Sequence, residues 1–205
     1  MAELVEYMGA YKLMKKYGIR TVQSAYVSNA EQAIKFAGGK PIVLKAISGK
    51  ALHKTKSGLV ALNLTGERSI SSAYASLVRA AEKYKPYKIL AQRMVGSGVE
   101  VIIGGREDAQ FGKLILFGLG GIYVEVFKDI SIRVCPIRKS DAKSMLDDLK
   151  SKGMIAKDEK SAAIIEGLLL KTSRMLLEND IKELDLNPII LHDGTYDAVD
   201  LRVLK

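Results

Sequence analysis

The sequence predicts an α/β fold with two lobes, made of helices and of mixed or antiparallel sheets. Short apolar runs rich in β-branched residues are bounded by glycine or proline, which is typical of strands. Other segments place apolar residues three or four positions apart, as amphipathic helices do. Helices and strands alternate up to about residue 92, and several strands then follow one another directly. We therefore predict one domain over residues 1–205, with a first lobe of 1–91 and a second of 92–205.

The composition indicates an ordinary globular protein. Of the 205 residues, 48% are hydrophobic and 27% are charged, enough for one substantial core or two small ones. No apolar run approaches the length of a membrane span, and the acidic Glu3 and Glu6 do not suit a signal peptide. Cys135 is the only cysteine, which excludes an intrachain disulfide and fits a reducing cytosol. We expect a cytoplasmic protein without membrane contact.

The net charge of +9 raises the question of nucleic-acid binding. The 32 Lys and Arg residues are spread along the chain, however, and tryptophan is absent. The sequence also lacks the interleaved aromatic and basic pattern of strand-borne RNA binders. We therefore predict no nucleic-acid partner, and we assign part of the charge to phosphate groups or to an acidic partner.

In the first half, apolar periodicity predicts three helices and four strands. The N-terminal helix should end at Gly18. The second should begin at Ser28, where residues 28–31 form a capping box, and should stop at Gly38. The third has its apolar face between Ile70 and Ala81. The predicted strands are residues 21–27, 42–44, 60–64 and 89–92.

In the second half, alternation predicts strands at 99–103 and 113–117, joined by a hairpin turn at 104–108, and a further strand at 129–134. Helices should follow at 140–150 and 161–178. Two final strands, 183–191 and 196–204, should pair across the Asp193-Gly194 turn. The first of this pair has one carboxylate-rich face, because its acidic or polar residues alternate with apolar ones.

The stretch from Pro41 to Val60 contains the first candidate site. Its strand ends in Lys45, and Gly49 and Gly58 then bracket a basic, hydroxyl-rich loop around His53. Lysine supplies a point charge and glycine lets backbone N–H groups approach an anion, so this stretch suits polyphosphate binding. His53 could ligate, move protons or attack phosphorus. A solvated basic loop is the alternative, and on this stretch alone the two are equally open.

A second cluster lies on the predicted final hairpin. Asp185 and Asn187 are two residues apart on one strand and share a face, and Asp200 on the returning strand can join them. Three oxygen ligands on a rigid ribbon suit Mg²⁺, which completes its shell with water and phosphate. The alternative is a solvent-facing pair of strands, although Asn187-Pro188 is a poor choice for solubility alone.

Residues 92–95 connect the two predicted lobes. Such a connector can hold an adenine ring against apolar side chains, and Glu100 could then meet the ribose hydroxyls. An ordinary edge strand is the alternative. The glycine run at 118–121 lies between two strands, so it does not satisfy the dinucleotide-binding pattern, which requires a following helix. Two readings of this glycine run are equally open. It could be a flexible loop that approaches a ligand or a neighbouring chain, or it could be a structural corner.

This order of parts resembles the ATP-grasp arrangement. More narrowly, the chain resembles the nucleotide-binding β subunits of ADP-forming acetyl-CoA synthetases, in the superfamily of succinyl-CoA synthetase. The resemblance covers nearly the whole chain, and its motifs are specific in combination. They are Tyr17-Gly18-Ile19, Val43-Leu44-Lys45, Leu52-His53-Lys54-Thr55, Gly104 to Phe111, Phe117 to Glu125 and Glu183 to Pro188.

The resemblance implies site residues, a cofactor and a partner. It implies that His53 is a second phosphohistidine, which relays a phosphoryl group between a companion CoA-binding α subunit and ADP, in an α2β2 heterotetramer. It implies Mg²⁺ at Asn187 and Asp200, with Asp185 close by. The residues it implies for ATP or ADP binding are Lys45, Leu52, Lys54, Gln92, Val95 and Glu100.

The chain departs from the family pattern at two positions of the histidine loop. Lys56 stands where the family usually has aspartate, and Leu59 replaces the second glycine of Gly-Gly-Val. The first change adds charge beside the proposed phosphate carrier, and the second stiffens the loop. Neither removes the nucleophile or the cations.

Two other functional hypotheses stay open. A self-contained ATP-grasp ligase would activate a carboxylate directly and would not need His53. A non-catalytic nucleotide-binding subunit would not need a lysine, a histidine and an acidic cluster together. If a companion subunit exists, we expect the stretch from Phe117 to Phe127 to contact it.

Overall fold

A computed structural model describes residues 3–50, 58–121 and 129–205. The chain divides into two compact units, Val22–Val95 and Met1–Thr21 with Gly96–Lys205. The predicted first lobe of 1–91 differs from this division at its N-terminal end. Residues before Val22 belong to the larger unit because their backbone joins its last strand, where Val5 N donates to Val203 O at 2.9 Å. No helix among the described residues is long and apolar enough to cross a membrane.

The smaller unit is a four-stranded antiparallel sheet with two helices on one face. The strand order is β1-β4-β2-β3. Alternate strand residues such as Ile42, Leu44 and Ala91 pack with Ala33 and Leu77 of the helices into one apolar core. The elements are β1 (Ser24–Val27), α2 (Ala30–Ala37), β2 (Ile42–Ile47), β3 (Val60–Leu64), α3 (Glu67–Ala81) and β4 (Lys88–Arg93), and helix α1 (Tyr7–Lys16) precedes them in the larger unit.

The larger unit is built on a six-stranded antiparallel sheet. Its order is β10-β8-β5-β6-β7, and β9 also pairs with β8. The elements are β5 (Val99–Asp108), β6 (Gly112–Leu119), β7 (Ile130–Val134), α4 (Lys139–Asp147), α5 (Lys152–Ile155), α6 (Glu159–Glu178), β8 (Glu183–His192), β9 (Thr195–Ala198) and β10 (Leu201–Leu204).

Helix α2 begins later than the capping box predicts. Its N-cap is Asn29, whose side chain accepts from Gln32 N at 2.9 Å, while Ser28 N donates to Gln32 Oε1 at 2.8 Å. The predicted start at Ser28 was therefore wrong. Gln32, not Glu31, lies at the N3 position, and its side chain accepts from the residue before the N-cap instead of from the N-cap itself, as a capping box would require.

The hairpin turn predicted at residues 104–108 was also wrong. Strand β5 continues to Asp108, and the turn is at 109–111, where the Asp108 carboxylate accepts from Gln110 N and Phe111 N. Gly105 is needed for packing: a Cβ there would lie 2.6 Å from Leu176 Cδ2 on α6. Gly105 thus lets the helix approach the middle of the sheet.

The predicted last strand is two strands, β9 and β10, which flank Val199 and Asp200. A bulge in β8 accompanies this break. Val101 pairs with Ile189 and Ile103 with Leu186, so Asn187 and Pro188 oppose the single residue Ile102. A bulge of this kind bends its strand and redirects side chains.

Gly105→Ala should destabilise the protein by about 1–3 kcal/mol, because the added methyl group overpacks a core in which Leu176 is fully buried. Gly104→Ala is the matched control, since its Cβ would meet Leu116 Cβ at an ordinary 3.5 Å. The control should change the free energy of unfolding by less than about 1 kcal/mol. Denaturant unfolding measures both variants, and equal losses would show that helix packing does not require Gly105.

Candidate functional site

Lys45 and Gln92 lie on neighbouring strands of the smaller unit and on the same face of its sheet. Val43 pairs with Gln92 and Lys45 with Leu90, and residues two apart on a strand share a face. This face is opposite the helix-covered core that contains Leu44. The register thus brings together two of the residues predicted to bind nucleotide.

Both side chains are buried, which affects their chemistry. Lys45 is 6% exposed and Gln92 is fully buried. Gln92 Nε2 donates to Ser24 Oγ at 3.1 Å, and this hydroxyl donates to Val22 O at 2.9 Å, so the carboxamide is fixed in orientation. A nearly buried ammonium group interacts more strongly with an anion than an exposed one does. The arrangement therefore suits a phosphate near Lys45.

The predicted connector begins where β4 ends. Arg93 N donates to Gln23 O at 3.0 Å and Met94 N donates to Pro41 O at 3.1 Å, so the chain is held on both sides just before Val95. Val95 is half-buried and ends the smaller unit. Its predicted adenine contact stays a prediction.

The histidine loop falls largely outside the described residues. Leu52, His53, Lys54 and Lys56 are all outside them, so their roles stay predictions. The residue after the loop is well defined: Leu59 is fully buried in the core of the smaller unit, and Ala46 N donates to Leu59 O at 2.8 Å.

In the larger unit, the β8 bulge brings Asp200 beside Asn187. Leu186 pairs with Leu201 and Ile189 with Ala198, so the two bulged residues face Val199 and Asp200. Val199 N donates to Pro188 O at 3.0 Å within this gap. Asp200 therefore lies in the break between β9 and β10, opposite the bulge, and its joining Asp185 and Asn187 in one site stays a prediction.

The donor set at this bulge fits Mg²⁺. Asp185 and Asp200 are half-buried and Asn187 is exposed, and their side chains offer carboxylate and amide oxygens, the hard ligands that Mg²⁺ takes. Among the described residues, no group of three or more His, Cys, Asp or Glu side chains could hold a metal. A site with two carboxylates and one amide leaves room for water and phosphate oxygens.

Glu100 lies next to the glycine run that ends β6. Gly120 N donates to Glu100 O at 2.7 Å, and a Cβ on Gly120 would lie 2.9 Å from the Glu100 carbonyl carbon. A Cβ on Gly118 would lie 2.6 Å from Asp129 O. These glycines therefore form a structural corner in which backbones approach closely. Glu100 itself is exposed beside them, where its carboxylate can reach a ligand.

Sequence reasoning missed one charged cluster. The buried carboxylate of Asp197 accepts from Arg20 Nε at 2.8 Å and from His192 Nε2 at 2.9 Å. The hydrogen bond and charge of Asp197 raise the pKa of Arg20. His192 also borders a cavity of about 400 Å³ that none of the predicted site residues lines. Arg20 and Asp197 are 177 positions apart, and no local pattern signals such a pair.

Comparison with known proteins gives a consistent result. A family model described as an ATP-grasp domain matches residues 2–204. The chain is 36% identical over 206 residues to the β subunit of ADP-forming acetate–CoA ligase I from Pyrococcus furiosus, covering 95% of this chain and 89% of the relative. It is also 36% identical over 203 residues to ADP-forming acetate–CoA ligase I from Archaeoglobus fulgidus, covering 94% of this chain but 30% of that longer protein.

A solved structure agrees with these relatives. It is the dinucleotide forming acetyl-coenzyme A synthetase 1 of Ca. Korarchaeum cryptofilum, in complex with coenzyme A and Mg-AMPPCP and with its phosphohistidine segment pointing towards the nucleotide binding site. It matches with a TM-score of 0.84 and 32% identity, over 98% of this chain and 92% of that one.

Lys45→Ala should weaken ATP and ADP binding by about 1.5–3 kcal/mol, the usual contribution of a hydrogen bond to a charged group. Lys40→Ala removes the same charge from an exposed position just before β2 and should bind like the parent. Calorimetry with each nucleotide measures both variants. Unchanged affinity in Lys45→Ala would place the phosphates elsewhere.

Asp200→Asn should raise the Mg²⁺ concentration needed for nucleotide binding by about 10–100-fold, a range that even outer-shell changes produce. Asp193→Asn is the control, because its side chain is 96% exposed and the charge change is the same. Nucleotide titrations at graded Mg²⁺ concentrations make the comparison. If both variants keep the parent's Mg²⁺ dependence, the metal binds away from the bulge.

Proposed function

Because this chain belongs to the ATP-grasp family, we propose that it is the nucleotide-binding β subunit of an ADP-forming acyl-CoA synthetase. The complex would interconvert acetyl-CoA, ADP and phosphate with acetate, ATP and CoA. One observation carries this proposal most: the chain matches the Pyrococcus β subunit over 95% of its own length and 89% of the relative. The positions of Lys45 and of the β8 bulge support it.

The chain's own step is phosphoryl transfer through His53. A neutral imidazole nitrogen of His53 takes the phosphoryl group from a phosphohistidine of the companion subunit, so a P–N bond forms on His53 as the companion's P–N bond breaks. A terminal β-phosphate oxygen of ADP then attacks this phosphorus. A P–O bond forms, the P–N bond breaks, and His53 returns to its free state. Each transfer is balanced and needs no further reactant.

The remaining residues bind and orient the nucleotide. Lys45 contacts phosphate oxygens, Gln92 and Val95 hold the base, and Glu100 accepts from the ribose hydroxyls. The backbone and side chains of Leu52 and Lys54 complete the nucleotide contacts on the loop. When bound, Mg²⁺ supplies charge neutralisation at the transferring group.

The metal-binding residues have separate tasks in this proposal. Asp200 and Asn187 hold Mg²⁺ directly, and Asp185 supports them from the same strand as Asn187. The register at the bulge, with Val199 and Asp200 opposite Asn187 and Pro188, supports this assignment.

The partner is a CoA-binding α subunit, and the complex is an α2β2 heterotetramer acting in the cytoplasm. The relative from Pyrococcus is itself named as a β subunit. Our expectation that Phe117 contributes to the contact was wrong, because Phe117 is fully buried beneath the helices. Residues 122–127 of the same predicted contact lie outside the described residues.

His53→Ala should abolish phosphoryl transfer while leaving nucleotide binding intact. ATP should still bind, since Lys45 and the metal-binding residues remain. The overall reaction with the companion subunit should fall by more than about 10³-fold, as expected when a nucleophile is lost. Incubation with radiolabelled Mg-ATP should label the parent with acid-labile, base-stable phosphate and leave His53→Ala unlabelled.

The second histidine provides the control. His192→Asn removes the other imidazole of the chain and should retain both the label and turnover. Near-parent turnover in His53→Ala would contradict the relay. Full turnover of the isolated parent chain, without any companion, would instead favour a self-contained ligase.

A further inference from the structure

Strand β7 displays an apolar stripe on the surface of the larger unit. Ile130, Ile132 and Val134 are 37%, 48% and 50% exposed, and they alternate with Ser131 and Arg133. The three therefore share one face, and we call them the β7 patch. Half-buried Leu114 and Leu116 of β6 pair with Val134 and Ile132 and extend the apolar surface.

The stripe is presented by a firmly held strand. On the opposite face, Ser131 Oγ donates to Asp148 Oδ2 at 2.7 Å, and Arg133 Nη2 contacts the same oxygen at 2.7 Å and Ser144 Oγ at 2.8 Å. The hydrogen bond from Ser131 and the contact with Arg133 lower the pKa of Asp148. The exposed stripe therefore lies on an edge strand that is held in place by hydrogen bonds on its opposite face.

The β7 patch shares its face with the predicted metal ligands. Ile132 pairs with Leu116, Leu116 with Gly104, and Gly104 with Asp185, which places all four in one row across the sheet. With strands about 4.8 Å apart, Ile132 and Asp185 are separated by roughly 14 Å. One end of this face is therefore acidic and the other apolar.

Contiguous exposed apolar surface of this kind marks interaction sites, whereas isolated apolar residues do not. In the described part of the chain, β7 is the last strand in the order of its sheet. Three of the nine large hydrophobic residues that are exposed there lie on this one short strand. A partner that covers them would bury an aligned set of β-branched side chains.

We propose that the β7 patch docks the companion CoA-binding subunit, an inference that rests on the function proposed above. In the proposed function a phosphoryl group passes between the companion and a site on this face, and docking about 14 Å from Asp185 brings the companion close to that site. In the longer Archaeoglobus relative, the matching part is 30% of one chain.

Charge favours a companion over a second copy. Two chains of net charge +9 repel each other. Arg106 is exposed in the row of Val134 and Leu114, so a cation flanks the patch. The matching surface is therefore apolar at its centre, with an acidic group opposite Arg106, which agrees with the apolar core and polar rim of specific interfaces.

The test uses the CoA-binding subunit from the same genome as the probe. The double variant Ile132→Thr with Val134→Thr keeps β-branching but removes apolar surface. It should bind the companion at least tenfold more weakly, while its affinity for Mg-ATP stays at the parent's value. Leu177→Gln is the control, because Leu177 on α6 is 45% exposed and lies away from β7. This control variant should bind the companion subunit and Mg-ATP with the parent's affinities.

Each other outcome overturns a distinct part of the inference. Parent-like companion affinity in the double variant would reject the docking face and leave the proposed function standing. A parent chain that turns over fully alone and binds no companion would reject both. Self-association of the parent that the double variant abolishes, with companion binding intact, would assign the β7 patch to a second copy.

Discussion

The bulge in β8 is the constraint on which the larger unit depends. Strand β8 pairs with three others, so its register determines where each of them lies. Two bulged residues, Asn187 and Pro188, oppose one residue of β5, and the partner strand divides at Asp200 in response. Side chains alternate along a strand, so removal of one bulged residue would send every residue beyond it to the opposite face. Asp185 and Asp200 could then no longer serve one site.

In both sheets, one face packs against helices and the other carries the candidate ligand-binding residues. One face is apolar and packs on helices, through Leu44 and Ala91 in the smaller unit and through Gly105 beneath Leu176 in the larger. The other face carries the polar residues, Lys45 with Gln92 in one sheet and Asp185 in the other. Antiparallel sheets allow this arrangement because only one face must be covered for stability. Along each strand, alternate residues therefore serve different purposes: one set packs against helices and the other set is available to ligands.

Local patterns predicted most elements, and the failures have identifiable causes. Periodicity located the strands and the long helix α6 because each buries one face. Gly104 and Gly105 were taken for a turn, although Gly105 leaves space for Leu176 of a helix distant in sequence. The cluster of Arg20, Asp197 and His192 has no local signature because its partners meet only after folding. The residues of the nucleotide and metal sites could be selected through the family resemblance, and the strand registers account for how Lys45 meets Gln92 and how Asp200 meets Asn187.

The burial of Leu59 limits how far His53, the proposed phosphoryl carrier, can move. On the other side of the loop, Ser48 Oγ donates to Tyr84 O, so the chain is fastened at both ends. His53 follows Ser48 by five residues, and an extended chain advances at most about 3.5 Å per residue. While Ser48 stays fastened, the His53 Cα lies within roughly 18 Å of the Ser48 Cα, and while Leu59 stays in the core it lies within roughly 21 Å of the Leu59 Cα. Movement beyond the limit set by Leu59 requires this residue to leave the core, at a cost of about 1.5–3 kcal/mol, so this leucine couples the range of His53 to local unfolding.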